Sequence, residues 1–311
     1  MDRMEHHAAG TDGTRLWWSE AGAGAPAVLL LDGIGCAGYV WRRLEPALAE
    51  RTRVLHAQYR GHGASAAPKD PARVGMDDLV SDVLAVLDAA GERRAVLVGH
   101  SMGVQVALET HRRAPRRVAG LALLCGAPGH PIDTFHDSPV LRLAFPWARA
   151  VAESRPELAR AFFRNVVPTE LALELALAFE VNRALAPRED LERYLRDLSN
   201  VDPLLFLRML TSAADQDASD HLPNVRVPTL VVAGERDTFT PMRLSVAMHA
   251  AIPGSRLVVV KDGTHVAPLE RPDVVDAAVT ALVAEVAAKG ARRAKPPRPR
   301  AAPRRRLRRE G

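Results

Sequence analysis

The chain has 311 residues, 47% of them hydrophobic and 25% charged, and this composition indicates a globular protein and excludes a disordered or fibrous one. The formal net charge of +5 is unevenly distributed, because residues 289–311 contain eleven lysines and arginines and one glutamate, a net charge of +10, which leaves −5 for residues 1–288. No apolar run is long enough to cross a membrane, and residues 1–13 lack the apolar core of a secretory signal. We therefore expect a cytoplasmic protein in which Cys36 and Cys125 are reduced thiols.

Short apolar runs alternate with helix-like runs over most of the chain. The pattern predicts strands at 14–19, 27–31, 53–59, 94–98, 118–124, 229–233 and 256–260, and helices at 40–49, 76–90, 102–114, 243–251 and 272–288. Such an alternation predicts an α/β fold, in which a mostly parallel central sheet is covered by helices on both faces. Residues 14–19 alternate in polarity and are a candidate antiparallel strand.

The interval 131–222 breaks this alternation, because it contains no strand pattern. Its amphipathic runs predict helices at 158–166, 170–181, 190–198 and 203–212. A helical insertion at this point predicts a cap over the carboxyl ends of the strands, where open α/β sheets bind ligands. The predicted domains are a core formed by 11–130 and 223–288, the cap 131–222, and a basic tail, 289–311, which cannot bury a core and is predicted to be disordered.

The sequence GHSMG, residues 99–103, lies between a predicted strand and a predicted helix. A serine between two glycines at such a turn is typical of the G-x-S-x-G nucleophile elbow. The turn exposes Ser101 in a strained conformation, and glycines at 99 and 103 avoid collisions with the neighbouring strand and helix. The backbone N–H of Met102 then lies at the start of a helix, where it can stabilise a developing oxyanion.

A serine nucleophile needs a base beside it and a carboxylate that orients the base. Asp237 follows the strand 229–233, and His265 follows the strand 256–260, so both would meet Ser101 at one edge of the sheet. The chain order serine, acid, histidine is that of α/β-hydrolases. Glu235 is the rival acid, but it lies closer to its strand. We predict that Ser101, Asp237 and His265 form a catalytic triad.

With these residues, the chain resembles the α/β-hydrolase superfamily with a helical cap, a group of cofactor-free esterases, perhydrolase-like enzymes, carbon–carbon hydrolases and lactonases. The matching motifs are GHSMG (99–103), GERDTFTP (234–241), DGTHVAPLERPD (262–273) and the R-G-x-G-x-S loop within YRGHGAS (59–65). The resemblance spans about residues 11–288. It implies the α/β-hydrolase fold and a hydrolase activity.

The resemblance also implies an oxyanion hole, with one departure from the family pattern. After the third strand these enzymes usually carry His-Gly, and the next backbone N–H forms half of the hole. This chain has Asp32-Gly33-Ile34, so by position Ile34 supplies that N–H and Met102 supplies the other. An ionised Asp32 near the hole would oppose an oxyanion; alternatively, Asp32 turns away and accepts N–H bonds from the loop.

The other histidines and the cysteines are assigned structural roles. We expect His100 to be packed, hydrogen-bonded and directed away from the triad, and His62 to order its glycine-rich loop. Cys36 and Cys125 are expected to line the pocket without acting as nucleophiles, because neither has an evident base partner.

The sequence therefore predicts a serine esterase-like hydrolase that acts on a small-molecule ester-type or other acyl substrate through an acyl-enzyme, with no metal and no cofactor. Acyl transfer and carbon–carbon bond hydrolysis on the same triad are alternatives. A further alternative is a non-catalytic small-molecule receptor or regulatory protein, which Asp32 would favour. The tail 289–311 is either a solvated extension or an arm for nucleic acid or another anionic surface.

Overall fold

The computed structural model describes residues 3–130, 133, 138 and 140–294. Its centre is a single sheet of eight strands: β1 (Met4–Ala9), β2 (Arg15–Ala21), β3 (Ala27–Leu31), β4 (Val54–Ala57), β5 (Ala95–His100), β6 (Val118–Leu124), β7 (Thr229–Gly234) and β8 (Arg256–Val260). The spatial order is β1-β2-β4-β3-β5-β6-β7-β8. The first two strands pair antiparallel, β2 pairs antiparallel with β4, and all other pairs are parallel. The α/β fold with a mostly parallel sheet is thus confirmed.

The sheet extends beyond the predicted core range 11–130, because strand β1 precedes it. Residues 4–9 pair with β2 from Met4 opposite Glu20 to Ala9 opposite Arg15. Only Ala8 of this strand is buried, so the sequence MEHHAA carries almost no apolar signal. Its side chains are held instead by ring stacking, such as that of His6 on Trp18 with centroids 4.4 Å apart.

Helices cover both faces of the sheet. In chain order, the helices of the described residues, including those inserted between β6 and β7, are α1 (Leu44–Ala49), α2 (Met76–Ala89), α3 (Met102–Arg113), α4 (Val140–Ser154), α5 (Pro156–Asn165), α6 (Glu170–Phe179), α7 (Arg188–Ser199), α8 (Pro203–Asp215), α9 (Met242–Ala251), α10 (Ala267–Glu270) and α11 (Pro272–Ala294). Short 3₁₀ turns occur at Tyr39–Trp41, Pro115–Arg117 and Ser219–Asn224. The predicted helix 40–49 is therefore a 3₁₀ turn followed by the short α1.

The central strands are buried on both sides, which explains their unbroken apolar sequences. Leu29 and Leu31 of β3 belong to the core layer that contains α2, α3 and α9. Val28 and Leu30 of the same strand belong to the opposite layer, with α1 and α11. Alternate side chains thus fill two separate cores, as the two-residue period of a strand requires.

The helical insertion, which we define as α4–α8, lies between β6 and β7. Four of its helices match predicted helices to within a few residues. The fifth, α4, was missed because Pro146 interrupts its sequence and because Ala152 is its one buried residue. None of the described helices is long and apolar enough to span a membrane.

Helix α11 continues to Ala294, six residues beyond the predicted core boundary at 288. The first residues of the predicted basic tail are therefore the last turns of this helix. The rest of that tail, 295–311, lies outside the described residues, and its predicted disorder and its role as an anionic-surface arm stay predictions.

The R-G-x-G-x-S loop is anchored by a buried guanidinium. Arg60 is fully buried, and its Nε and Nη2 donate to the two carboxylate oxygens of Asp82 at 2.7 and 2.6 Å. Its Nη1 donates to Asp12 at 3.0 Å and to the backbone carbonyl of Arg73 at 2.6 Å. Burial raises the pKa of the Asp82 carboxyl, and the paired guanidinium opposes this increase.

Replacing Arg60 by methionine should lower the free energy of unfolding by about 3 kcal/mol, because it leaves the Asp82 carboxylate buried without a partner. Urea denaturation monitored by circular dichroism measures this change. Arg73→Met is the matched control: Arg73 is exposed and pairs with Asp78 at 2.7 Å, so its loss should cost less than about 1 kcal/mol. Equal losses of unfolding free energy in the two variants would contradict the inference that Arg60 compensates the buried charge of Asp82.

Candidate active site

Ser101 occupies the sharp turn between β5 and α3. Its backbone has φ 55° and ψ −119°, a strained conformation for a residue with a side chain. The turn is held by the Ser101 N–H, which donates to the carbonyl of Leu124 at 3.0 Å, and by the Val104 N–H, which donates to the Ser101 carbonyl at 3.0 Å. The predicted nucleophile elbow therefore has the expected geometry.

Two glycines allow the strand and the helix to approach at this turn. A Cβ atom on Gly99 would lie 2.2 Å from the carbonyl oxygen of Gly103 in α3. A Cβ atom on Gly103 would lie 2.3 Å from the carbonyl oxygen of Leu31 in β3. Both distances are far below a van der Waals contact, so a side chain at either position would force the backbone apart.

The structure brings Ser101, Asp237 and His265 together at the carboxyl ends of β5, β7 and β8. The Nε2 of His265 lies 2.9 Å from the Oγ of Ser101. The Nδ1 of His265 lies 3.0 and 3.2 Å from the two carboxylate oxygens of Asp237. In this arrangement Nδ1–H donates to Asp237 and Nε2 accepts the serine proton, which is the geometry that a general base requires.

The carboxylate of Asp237 is almost completely buried and well supplied with donors. The backbone N–H groups of Phe239 and Thr240 donate to Oδ1 at 2.9 and 2.8 Å, and the Thr240 hydroxyl donates to Oδ2 at 2.8 Å. Burial alone would raise the pKa of Asp237, but the charge of His265 and these hydrogen bonds outweigh it and hold that pKa below its ordinary value. Asp237 is therefore ionised at neutral pH.

Glu235, the rival acid, is engaged elsewhere. Its Oε2 accepts the backbone N–H of Asp262 at 2.9 Å, at the exposed side of the loop that follows β8. Of the two acids, Asp237 is the one in contact with His265. Thr240, which sequence reasoning did not single out, completes the carboxylate's hydrogen bonds; its position three residues after Asp237 was the available signal.

Glu270, also unforeseen, holds the loop of His265 in place. The backbone N–H and the hydroxyl of Thr264 donate to its two oxygens at 2.6 and 2.8 Å. The backbone N–H of Asn182, between α6 and α7, donates to Oε1 at 2.9 Å. Burial raises the pKa of Glu270, and the donated hydrogen bonds oppose that increase.

The Asp32 carboxylate is buried and accepts hydrogen bonds at both oxygens, which agrees with the second of the two alternatives left open by the sequence. Its partners are side chains, however, and not the loop N–H groups expected. The Nε1–H of Trp41 donates to Oδ1 at 2.6 Å, and the Nε2–H of His56 donates to Oδ2 at 2.9 Å. Arg3 donates to the Nδ1 of His56 at 2.9 Å, which fixes Nε2 as the protonated nitrogen.

His62 connects its own loop to the loop 33–36. Its Nε2 accepts the backbone N–H of Gly35 at 3.1 Å, and its Nδ1 lies 3.1 Å from the carbonyl of Arg60, so the proton is on Nδ1. Burial lowers the pKa of His62 and keeps the ring neutral. The N–H groups of Ile34 and Met102 have no hydrogen-bond acceptor within the described part of the chain.

A cavity of about 230 Å³ adjoins the Ser101 hydroxyl between the core and the helical insertion. Its lining includes Ile34, Met102, Tyr194, Phe206, Leu210 and Phe239. Most of these side chains are apolar, and the insertion contributes three of them. A larger cleft of about 960 Å³ lies at the opposite ends of the strands, and the three side chains Ser101, Asp237 and His265 do not line it.

Neither cysteine lines this cavity, so the expectation that both cysteines line the pocket is wrong. Cys36 and Cys125 are both buried in the apolar core. Burial raises the pKa of each thiol well above its ordinary value, so neither forms a nucleophilic thiolate at neutral pH. No group of potential metal ligands occurs in the described ranges.

His100 is packed and hydrogen-bonded, but it contacts the triad. Its Nε2–H donates to the backbone carbonyl of His265 at 2.8 Å, and the two rings lie 5.0 Å apart. The expectation that it points away is therefore wrong, because the loop after β8 folds over β5. Burial lowers the pKa of His100 to about 4, and the nearby charge of His265 adds to this effect.

The profile of the alpha/beta hydrolase fold family matches residues 26–272. The chain therefore belongs to the α/β-hydrolase family.

Several similar proteins are named as hydrolases. A Klebsiella pneumoniae protein whose name describes it as a carbamate hydrolase, RutD, is 29% identical over 78% of this chain and 85% of its own. An esterase from Thermogutta terrifontis is similar in structure, with a TM-score of 0.74, 26% identity and coverage of 92% of this chain and 99% of its own. An enol-lactonase from Burkholderia xenovorans has a TM-score of 0.71, 26% identity and coverage of 90% and 100%.

The titration of His100 predicts a loss of stability in acid. The folded protein holds His100 neutral down to pH about 4, whereas the unfolded chain protonates it near 6.5. The stabilisation is therefore present above pH 6.5 and is lost as the pH falls from 6.5 to 4, by about 3 kcal/mol in total.

The variant His100→Gln keeps a donor for the His265 carbonyl but does not titrate. Its free energy of unfolding, measured by urea denaturation at pH 7 and pH 4.5, should fall less than that of the wild type. His111, whose pKa is also lowered to about 4, contributes equally to both proteins and cancels in the comparison. Parallel pH curves would contradict the prediction.

Proposed function

We propose that this protein is a serine hydrolase that cleaves ester-type substrates through a covalent acyl-enzyme. The observation that carries the proposal is the continuous hydrogen-bonded series from the Ser101 hydroxyl through His265 to the buried Asp237 carboxylate. The series lies at an apolar cavity, on a strained turn that exposes the hydroxyl.

In the proposed reaction, Ser101 Oγ attacks the substrate carbonyl while His265 Nε2 takes its proton. The carbonyl oxygen becomes an oxyanion, which the backbone N–H groups of Ile34 and Met102 stabilise. His265 then returns the proton to the leaving alcohol. Water, deprotonated by His265, attacks the acyl-enzyme and releases the acid, and the proton returns to Ser101. Throughout, Asp237 orients the imidazole and stabilises its cationic form.

The size and lining of the cavity indicate the substrate class. An apolar protein cavity of ~150 Å³ can hold a benzene molecule, so 230 Å³ accommodates an acyl group of about nine non-hydrogen atoms. Its largely apolar lining favours an uncharged hydrocarbon chain. The residues 131–222, as the proposed cap, would then close the site against water.

The relatives support this class of reaction, since a carbamate, an ester and an enol-lactone each present a carbonyl bonded to a heteroatom. The orientation of Asp32 supports catalysis over the alternative of a non-catalytic receptor. Its carboxylate accepts hydrogen bonds from Trp41 and His56, so it does not occupy the place of the oxyanion.

A fluorophosphonate probe should label the purified protein stoichiometrically at Ser101, because an activated serine displaces its fluoride. Intact-protein mass spectrometry measures the labelling. Ser101→Ala should abolish it, and His265→Ala should slow it strongly. Persistent labelling of Ser101→Ala would mean that another residue is the nucleophile.

Replacing Asp237 by asparagine should lower kcat/KM for p-nitrophenyl esters by about 10³- to 10⁴-fold, because the amide holds the wrong histidine tautomer. Glu235→Gln is the matched control and should change kcat/KM by less than about threefold, since Glu235 only accepts a loop N–H. A larger effect from Glu235→Gln than from Asp237→Asn would reassign the acid.

A further inference from the structure

The first two helices of the insertion expose an unusual number of large apolar side chains. On α4 these include Leu143 and Trp147, which are 70% and 72% exposed, and on α5 they include Leu158 and Phe162, which are 62% and 52% exposed. We name this surface the α4–α5 face; it consists of Val140, Leu143, Trp147, Val151, Leu158, Phe162 and Val166.

The side chains of the α4–α5 face recur at every third or fourth position, so they form one stripe on each helix. An apolar groove of about 320 Å³ separates the two helices, and residues of α8 form its floor. Soluble monomers rarely expose a continuous apolar surface of this kind without a binding role.

The charge of these helices differs from that of the rest of the protein. Residues 140–165 contain five arginines and two glutamates, a net charge of +3, whereas residues 1–288 as a whole have −5. Arg155 and Arg164 are exposed and have no carboxylate partner among the described residues. Arginine on the polar side of a helix and Trp, Phe and Leu on the other side are typical of helices that lie in a lipid interface.

Helix α6 also exposes a stripe of apolar side chains, but its charge is opposite to that of the α4–α5 face. It exposes Leu171, Leu175 and Phe179 at the same four-residue spacing. Its own charged residues are Glu170 and Glu174, and it contains no basic residue. Two exposed stripes of similar apolarity thus lie on helices of opposite charge.

Three occupants of the α4–α5 face can be compared by charge: the C-terminal segment 295–311, a second copy of the chain and an anionic lipid surface. The C-terminal segment 295–311 carries the same sign of charge and Leu307 as its one large apolar residue, so it is a poor partner. A second copy of the chain would bring two positively charged surfaces together. An anionic lipid surface complements both the charge and the apolar stripe.

We propose that the α4–α5 face docks on the surface of an anionic lipid bilayer, with Trp147 and Leu143 inserted at the level of the headgroups. Leu141, on the same helix α4, lines the cavity beside Ser101. The docked helix would therefore connect the lipid surface with the candidate active site. The docking itself does not depend on the proposed hydrolase activity.

Intrinsic fluorescence of the full-length protein gives a direct test, because Trp17, Trp18 and Trp41 are buried and Trp147 alone of the four tryptophans is exposed. Vesicles of phosphatidylcholine with phosphatidylglycerol should bind the protein and shift its emission to shorter wavelength. Pure phosphatidylcholine vesicles should have a much smaller effect, and added salt should weaken the binding.

Leu143→Ser and Leu171→Ser form a matched pair, since both leucines are 70% exposed and lie near the start of a helix. Leu143→Ser should weaken vesicle binding about tenfold, because one inserted leucine is lost. Leu171→Ser should leave the affinity unchanged. Equal effects of the two substitutions would overturn the proposal.

Three other results would also overturn it. Vesicle sedimentation without a change in Trp147 emission would mean that the basic C-terminal segment alone binds the lipid. A shift in emission that appears without lipid as protein concentration rises, and that Leu143→Ser removes, would mean that the face binds a second copy. Absence of binding to the anionic vesicles at low salt would mean that the face has another partner.

Discussion

The close approach of three backbone segments at the Ser101 turn is the constraint on which the rest of the site depends. Helix α3 begins against strand β3, with no room for a side chain at Gly99 or Gly103. This contact fixes the helix axis, and the helix axis in turn fixes where the Met102 N–H lies. The strained backbone of Ser101 is stable only because two parallel strands and a helix surround it.

Buried polar and charged side chains around the site position the loops that flank it. Arg60 holds the glycine-rich loop, and that loop presents His62 to the N–H of Gly35. Asp32 lies on the other side of the same segment and is satisfied by Trp41 and His56. The loop that contains Ile34 is thereby held from both flanks by neutral or fully paired groups, and none of these groups places an unpaired charge at the proposed oxyanion position.

The sequence was sufficient to predict features that depend on local pattern. The strands β3 and β6 were predicted with their observed bounds, because they are buried on both faces and have no polar interruption. Ser101, Asp237 and His265 could be placed at one edge because the carboxyl ends of parallel strands share that edge. Their contact in space followed from topology, although their catalytic roles stay predictions.

Features that depend on distant partners could not be predicted. Strand β1 is stabilised by pairing with β2 and by stacking on Trp18, and neither leaves a pattern in its own six residues. The orientation of Asp32 is set by Trp41 and His56, which lie 9 and 24 residues further along the chain. His100 was misplaced for a similar reason, since its partner is a backbone carbonyl 165 residues away.

The carboxylate of Glu270 joins the helical insertion to the loop that carries His265. It receives hydrogen bonds from Thr264, next to His265, and from Asn182, in the helical insertion. If the insertion moved outward with Asn182, the buried Glu270 carboxylate would lose one of its three hydrogen-bond donors. The same carboxylate anchors Thr264, the residue before His265. The position of the helical insertion and the order of the loop that carries His265 are therefore coupled through a single buried carboxylate.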